Sequence, residues 1–148
     1  MPELADLYST RILELAAAIS KAERLAAPDA SARAHSKLCG STIIVDLKVA
    51  DGRVTDYGQS VKACLLGQAA ASVMAAHAVG SSTAELHDVA RQMRGMLKDN
   101  GPPPAGKWAD LAALEPVRDV KGRHASTLLV FDAVERALDE IEAKAAAS

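Results

Sequence analysis

The chain is expected to fold as an α+β domain, a small and mainly antiparallel sheet with helices packed on one face. Three observations predict this. Ile43, Val45, Leu47 and Val49 alternate with Thr42, Asp46 and Lys48, the period-two pattern of a half-buried strand. Asp51-Gly52 follows at once and is a hairpin turn signal, so a return strand is expected over residues 54–61. Most of the remaining chain carries apolar residues at three- and four-residue intervals, the spacing of amphipathic helices. Because 49% of the residues are hydrophobic but only 3% aromatic, the core must be built from small side chains that let helices approach closely.

In chain order, Leu4, Leu7, Tyr8, Ile12, Leu15 and Ile19 mark a first helix that should run to about Ala27, where Pro28-Asp29 stops it. Residues 28–37 are small and polar without a period and read as a loop. In the return strand Val54, Tyr57 and Val61 do not share one period-two face, and a bulge near Gly58 would reconcile them. A helix is expected over residues 65–79 with Gly80 as its stop. Ser82-Thr83-Ala84-Glu85 is a capping box that opens another helix, with Leu86, Val89, Ala90, Met93, Met96 and Leu97 as its apolar stripe. That helix should end near Asn100-Gly101, ahead of a stiff link through Pro102-Pro103-Pro104. A short helix over residues 108–114, stopped by Pro116, and a final amphipathic helix from about Ser126 complete the chain. Val130, Val134, Ala137, Leu138 and Ile141 form the buried stripe of that last helix, and the tail from 142 to 148 is expected to fray. One domain over residues 1–148 accommodates all of this.

Seventeen basic against nineteen acidic residues give a net charge of −2 without a cationic block, and with so few aromatic residues nucleic-acid binding is excluded. No apolar stretch approaches the roughly 18 residues of a membrane span. The acidic opening Met1-Pro2-Glu3-Leu4-Ala5-Asp6 is unlike a signal peptide, so a cytoplasmic location is expected. A Gly-rich phosphate loop, Gly-x-Ser-x-Gly and His-Glu-x-x-His are all missing, which argues against a conventional hydrolase or oxidoreductase.

Chemistry concentrates at the two cysteines, Cys39 in Leu38-Cys39-Gly40-Ser41 and Cys64 in Val61-Lys62-Ala63-Cys64. In a reducing compartment such thiols are free, metal-bound or reactive rather than a structural disulfide. The bland alternative is two small buried apolar residues. Cys64 opens a helix-like stretch beside Lys62, a setting that favours the thiolate, and Cys39 would then share or resolve sulfur carried by Cys64.

The order of these elements resembles the NifU/IscU-type iron–sulfur cluster assembly scaffolds, most closely their SufU-like branch, from about Tyr8 to Leu138. Three landmarks carry the resemblance. Cys39-Gly40-Ser41 stands before a strand where the family has Cys-Gly-Asp. Cys64 opens the small-residue helix Leu65-Leu66-Gly67-Gln68-Ala69, at a spacing of 64 − 39 = 25 that suits the branch. Arg123-His124-Ala125-Ser126 stands where the family has Arg-x-x-Cys. Two ligands of the family pattern are therefore serines here, Ser41 for the aspartate and Ser126 for the third cysteine.

The resemblance implies a role in iron–sulfur cluster assembly, as cluster scaffold or sulfur acceptor, with a cysteine desulfurase as partner and cluster-receiving apoproteins downstream. A monomer or weak homo-oligomer is expected. Cys39, Cys64 and Ser126 would form the site, and Arg123 would offset sulfide or thiolate charge. Two thiols and two neutral hydroxyls bind a borderline or soft metal poorly, so tight mononuclear zinc binding is not expected from these four. Either another ligand fills in, with His35 and His124 as the candidates, or two chains share a cluster, or metal binding has been lost. Two alternatives follow: a zinc-bound protein that activates a desulfurase, and a docking member of the family without metal. Serine also has a structural reason to stand at position 126, as the N-cap of the last helix.

Overall fold

The computed structural model describes residues 9–147. The first helix, α1 (Thr10–Ala17), precedes a sheet of β1 (Ala30–His35), β2 (Thr42–Ala50) and β3 (Arg53–Lys62); α2 (Leu65–His77), α3 (Thr83–Lys98), 3₁₀ turns over Gly106–Asp119 and Lys121–Arg123, and α4 (His124–Ala147) follow. The strand order is β1-β2-β3 with both pairs antiparallel. Ile43, Val45 and Leu47 are fully buried, on the face that α2 and α4 cover. Ala69, Ala70, Ala71 and Ala75 are buried along α2, which lets its neighbours pack against backbone rather than against long side chains. Among the described residues no helix is long and apolar enough to cross a membrane.

The Asp51-Gly52 turn forms as expected, with φ of 53° and 75° at its two central residues, the left-handed pair of a tight hairpin. The bulge is real but lies elsewhere. Lys48 pairs with Asp56 and Val49 with Val54, so Thr55 is the extra residue, while Gly58 stays in register opposite Asp46. One added residue between Val54 and Tyr57 is what turns both side chains into the core, where each is 1% exposed.

Gly58 is glycine for a different reason. A Cβ there would meet the Glu23 carbonyl oxygen at 2.4 Å and the Leu25 amide at 3.1 Å. The chain after α1 is not helical to Ala27; α1 is capped at Ala18, and residues 20–25 cross β3 as an irregular strap. The Gln59 amide donates to the Lys21 carbonyl at 3.0 Å, and Gln59 Nε2 donates to the Ser20 carbonyl at 3.1 Å. These acceptors would otherwise belong to a continued helix, and the sheet claims them. The strap then anchors on Asp46, whose side chain is fully buried and accepts from Arg24 Nε at 2.6 Å, the Leu25 amide at 2.9 Å and Ser31 Oγ. Leu4, Leu7 and Tyr8 of the expected stripe lie outside the described residues, whereas Ile12 and Leu15 are buried.

Residues 30–35, expected as part of a loop, are the edge strand β1. Ala30 and Ala34 are its buried positions, too small to read as a period-two apolar pattern. The 3₁₀ segment passes through Pro116 instead of stopping there. Its buried residues Trp108, Leu111, Leu114 and Val117 recur every third position, the periodicity of a 3₁₀ turn. The last helix starts at His124 and runs to Ala147, and Lys144 Nζ donates to the Asp29 carbonyl at 2.9 Å.

The α3–α4 contact is polar. His87 Nδ1 lies 2.8 Å from Glu135 Oε2 and Nε2 lies 3.0 Å from Glu142 Oε1, while Arg94 pairs with Asp132 at 2.8 Å and also with Glu135. Partial burial works against the imidazolium, but the two carboxylates outweigh it and raise the His87 pKa above its ordinary value. A raised value means that the contact stabilises fully below the unfolded pKa, about 6.5, and fades as pH rises through the folded one. His87→Gln should therefore cost about 0.5–1 kcal/mol in urea unfolding at pH near 6. The difference from wild type should shrink towards zero in alkaline buffer.

Candidate functional site

Cys39 sits at the tip of the β1–β2 hairpin. The Ser36 amide donates to the Ser41 carbonyl at 2.9 Å and the Gly40 amide to the Ser36 carbonyl at 2.8 Å, which closes the loop. Gly40 takes φ of +73°, a left-handed conformation that reverses the chain there at little cost for glycine. The loop leaves Cys39 exposed while Ser36 and Ser41 are buried beneath it. Cys39 Sγ lies 3.0 Å from Ser41 Oγ. That hydroxyl is the main reason the Cys39 pKa is lowered, to about 7; burial opposes it, and Ser36, the Ser41 backbone and Ser126 assist.

Cys64 occupies the N-cap position of α2 but makes no capping hydrogen bond. Its sulfur turns instead to Ser126, with Sγ 3.7 Å from Oγ. Ser126 lies inside the first turn of α4, so it is not the N-cap; its hydroxyl donates to the Arg123 carbonyl at 3.2 Å, and Thr127 Oγ1 donates to the same carbonyl at 2.8 Å. The Ser126 hydroxyl thus acts on both thiols, and the fold brings Cys39, Ser41, Cys64 and Ser126 into one place. Gly67 makes this approach possible. A Cβ on it would lie 2.9 Å from Ala63 Cβ and 3.1 Å from the Ser126 carbonyl oxygen. The sequence reading passed over Gly67 and Ser36, although an isolated glycine inside an Ala-rich helix is a signal of close backbone approach.

Other candidates lie elsewhere. His35 is exposed on β1 with Nδ1 2.7 Å from Thr42 Oγ1. His124 is buried with Nε2 bound to the Val117 and Arg118 carbonyls at 3.0 and 3.1 Å, an anchor for the 3₁₀ segment. Lys62 lies with Arg33, Thr42, Ile44 and Ser60 around a shallow pocket on the sheet. Among the described residues the Arg123 side chain makes no hydrogen bond or ion pair, so its charge is uncommitted.

The donor set does not fit a resident tetrahedral ion. Zinc takes thiolate, imidazole or carboxylate ligands, and here two thiols stand with two neutral hydroxyls. Among the described residues, the group of His, Asp and Glu close enough to share an ion is His87, Asp139 and Glu142, which contains neither cysteine.

Comparison with protein-family models returns no match, and comparison with curated proteins returns no significant one. Solved structures do match. A nitrogen-fixing NifU-like protein (N-terminal) from Brucella abortus superposes with a TM-score of 0.94 at 53% identity, covering 95% of this chain and 98% of that one. A putative iron–sulfur cluster assembly scaffold protein for the SUF system from Fervidobacterium islandicum AW-1 (TM-score 0.81, 16% identity, 92% and 99% covered) shares the fold. So does a hypothetical protein with a TM-score of 0.80 at 18% identity, covering 92% of this chain and 99% of its own. With more than half of its residues identical to the Brucella protein over nearly the whole length of both, and with its two cysteines gathered at one edge of the sheet, the chain belongs to the NifU-like N-terminal family of the NifU/IscU type.

Proposed function

We propose that this protein acts in iron–sulfur cluster assembly by accepting sulfur on Cys39 from a cysteine desulfurase and holding it, with Cys64, for a nascent cluster that is its cargo. The observation that carries this reading is an exposed thiol whose pKa is lowered to about 7, at a hairpin tip beside a second thiol. The lowered pKa favours the thiolate, the nucleophilic form, near neutral pH. That thiolate attacks the terminal sulfur of the desulfurase persulfide. The S–S bond of the donor breaks, a new S–S bond forms on Cys39, and the donor cysteine leaves as thiolate. Family membership and the name of the SUF-system neighbour support the assembly context. Arg123, on the turn beside Ser126, supplies positive charge near sulfide, and apoproteins that receive clusters are the onward partners. The reassignment from Cys64 to Cys39 as acceptor rests on the Ser41 contact and the exposure of the hairpin.

The test is anaerobic incubation with a desulfurase and free cysteine, followed by intact mass measurement. Wild type and Cys64→Ser should each gain one sulfur atom on Cys39, and Cys39→Ser should lose essentially all of that gain. Alkylation of Cys39 should rise with pH around 7, below the value of about 8.5 typical of a free cysteine. No persulfide on wild type, together with no cluster after reconstitution with iron and sulfide, would sink the reading. Serine at positions 41 and 126 favours one other reading, a docking member that stimulates a desulfurase without chemistry of its own. Full stimulation by the Cys39→Ser/Cys64→Ser variant would select it.

A further inference from the structure

The Ser126 hydroxyl reaches both thiols. It lies 3.7 Å from Cys64 Sγ and also bears on Cys39. Ser126 is 1% exposed, and its hydroxyl is held by the Arg123 carbonyl at 3.2 Å. Its own backbone carbonyl packs against Gly67, so the contact between α2 and α4 fixes where the side chain stands.

The spacing is that of two vertices of a metal site. Two sulfurs held by one zinc at about 2.3 Å and a tetrahedral angle stand about 3.8 Å apart. Ser126 Oγ thus lies from Cys64 Sγ at nearly the distance of a second thiolate, yet a neutral hydroxyl is a poor donor to a borderline or soft ion. Ser41 repeats the case at Cys39, 3.0 Å from its sulfur. Nothing stands in for the missing charge. Among the described residues, no imidazole or carboxylate joins either cysteine in a group of three able to share an ion. A tight site for such an ion is completed by further thiolate, imidazole or carboxylate donors, so two thiolates alone release it readily.

We propose that Ser126 keeps the two thiols clear of a resident metal ion, which leaves Cys39 and Cys64 free to carry sulfur and pass it on. What the thiols carry rests on the sulfur-accepting function proposed above; exclusion of the ion rests on the donor geometry alone. A thiolate bound to zinc has committed its lone pair to the metal and attacks persulfide sulfur less well than a free one. One position on α4 therefore decides between retaining a metal and transferring sulfur.

Metal analysis after zinc loading and gel filtration against a competing chelator tests this. Wild type should retain less than about a tenth of an equivalent of zinc, and Ser126→Cys about one equivalent. Without metal that variant should melt near wild type, because sulfur for oxygen is a small change in size. Zinc should then raise the melting temperature of Ser126→Cys and leave that of wild type unchanged. Ser126→Cys/Cys64→Ser should fall back to the wild-type level of zinc. Zinc-loaded Ser126→Cys should gain persulfide from a desulfurase at least about fivefold more slowly than the same variant stripped of metal. Zinc retained by wild type, or no more zinc on Ser126→Cys than on wild type, overturns the proposal. Equal persulfide rates with and without zinc overturn its link to sulfur transfer. A wild type that holds no zinc and gains no persulfide overturns the sulfur-accepting function and leaves the exclusion of the ion standing.

Discussion

Asp46→Ala should lower the unfolding free energy by about 3 kcal/mol, the largest effect expected from one polar side chain in this fold. Asp46 is fully buried and satisfies Arg24, Ser31 and the Leu25 amide at once, so its removal takes the acceptor from Arg24 and Leu25 of the strap over residues 20–25 and from Ser31 of β1. Chemical denaturation of wild type and variant measures the loss. A change below about 1 kcal/mol would show that water replaces the carboxylate and that the strap is not held through it. Burial pushes the Asp46 pKa up, but Arg24, Ser31 and the Leu25 amide outweigh it and hold it below its ordinary value. The sign follows: the contribution is present above the unfolded value of about 3.9 and is lost as pH falls through the lower folded one. Asp46→Asn should flatten that acid limb of the stability curve.

Gly67→Val should cost about 2–3 kcal/mol and disturb the site as well as the fold. The new side chain would press on Ala63 and on the Ser126 backbone, neither of which can rotate away. Helix propensity predicts a milder outcome, since Gly67 lies in a helix and its replacement should reduce the cost of helix formation. Gly95 separates the two effects. It lies in α3 with open space around its Cβ position, so Gly95→Ala should stabilise by up to about 1 kcal/mol. In Gly67→Val, Cys64 should also alkylate faster, because the turn that carries Ser126 is pushed from it. Wild-type stability and wild-type Cys64 reactivity in that variant would show that the helices separate without strain.

Where side chains are large and regularly spaced, the fold was legible in the sequence. The β2 alternation, the Asp51-Gly52 turn, the Ser82 cap and the α3 stripe all reappear. Failures fall where tertiary demands override local pattern. Alanines bury β1 without an apolar signature, and the edge of β3 takes carbonyls that the first helix pattern would have used. The need for a bulge was readable from the phases of Val54, Tyr57 and Val61, but its position was not, because Gly58 has its own reason to be glycine. At the site, Cys39 lies against Ser41 and Cys64 against Ser126, and the Ser126 hydroxyl also bears on Cys39. The histidines do not join them, since spacing along the chain cannot say which way a ring turns.

The site also has an order of arrival. Its sheet is two consecutive hairpins and forms from neighbours in sequence, as does α2, whereas Ser126 belongs to the last helix and meets Cys64 across 62 residues. Local contacts close first and long-range ones last. A chain still emerging from the ribosome carries both thiols before residues 123–127 exist to flank them. Enclosure of Cys64 by Ser126 thus requires the last helix, and protection of that thiol reports on the docking of α4 rather than on formation of the sheet.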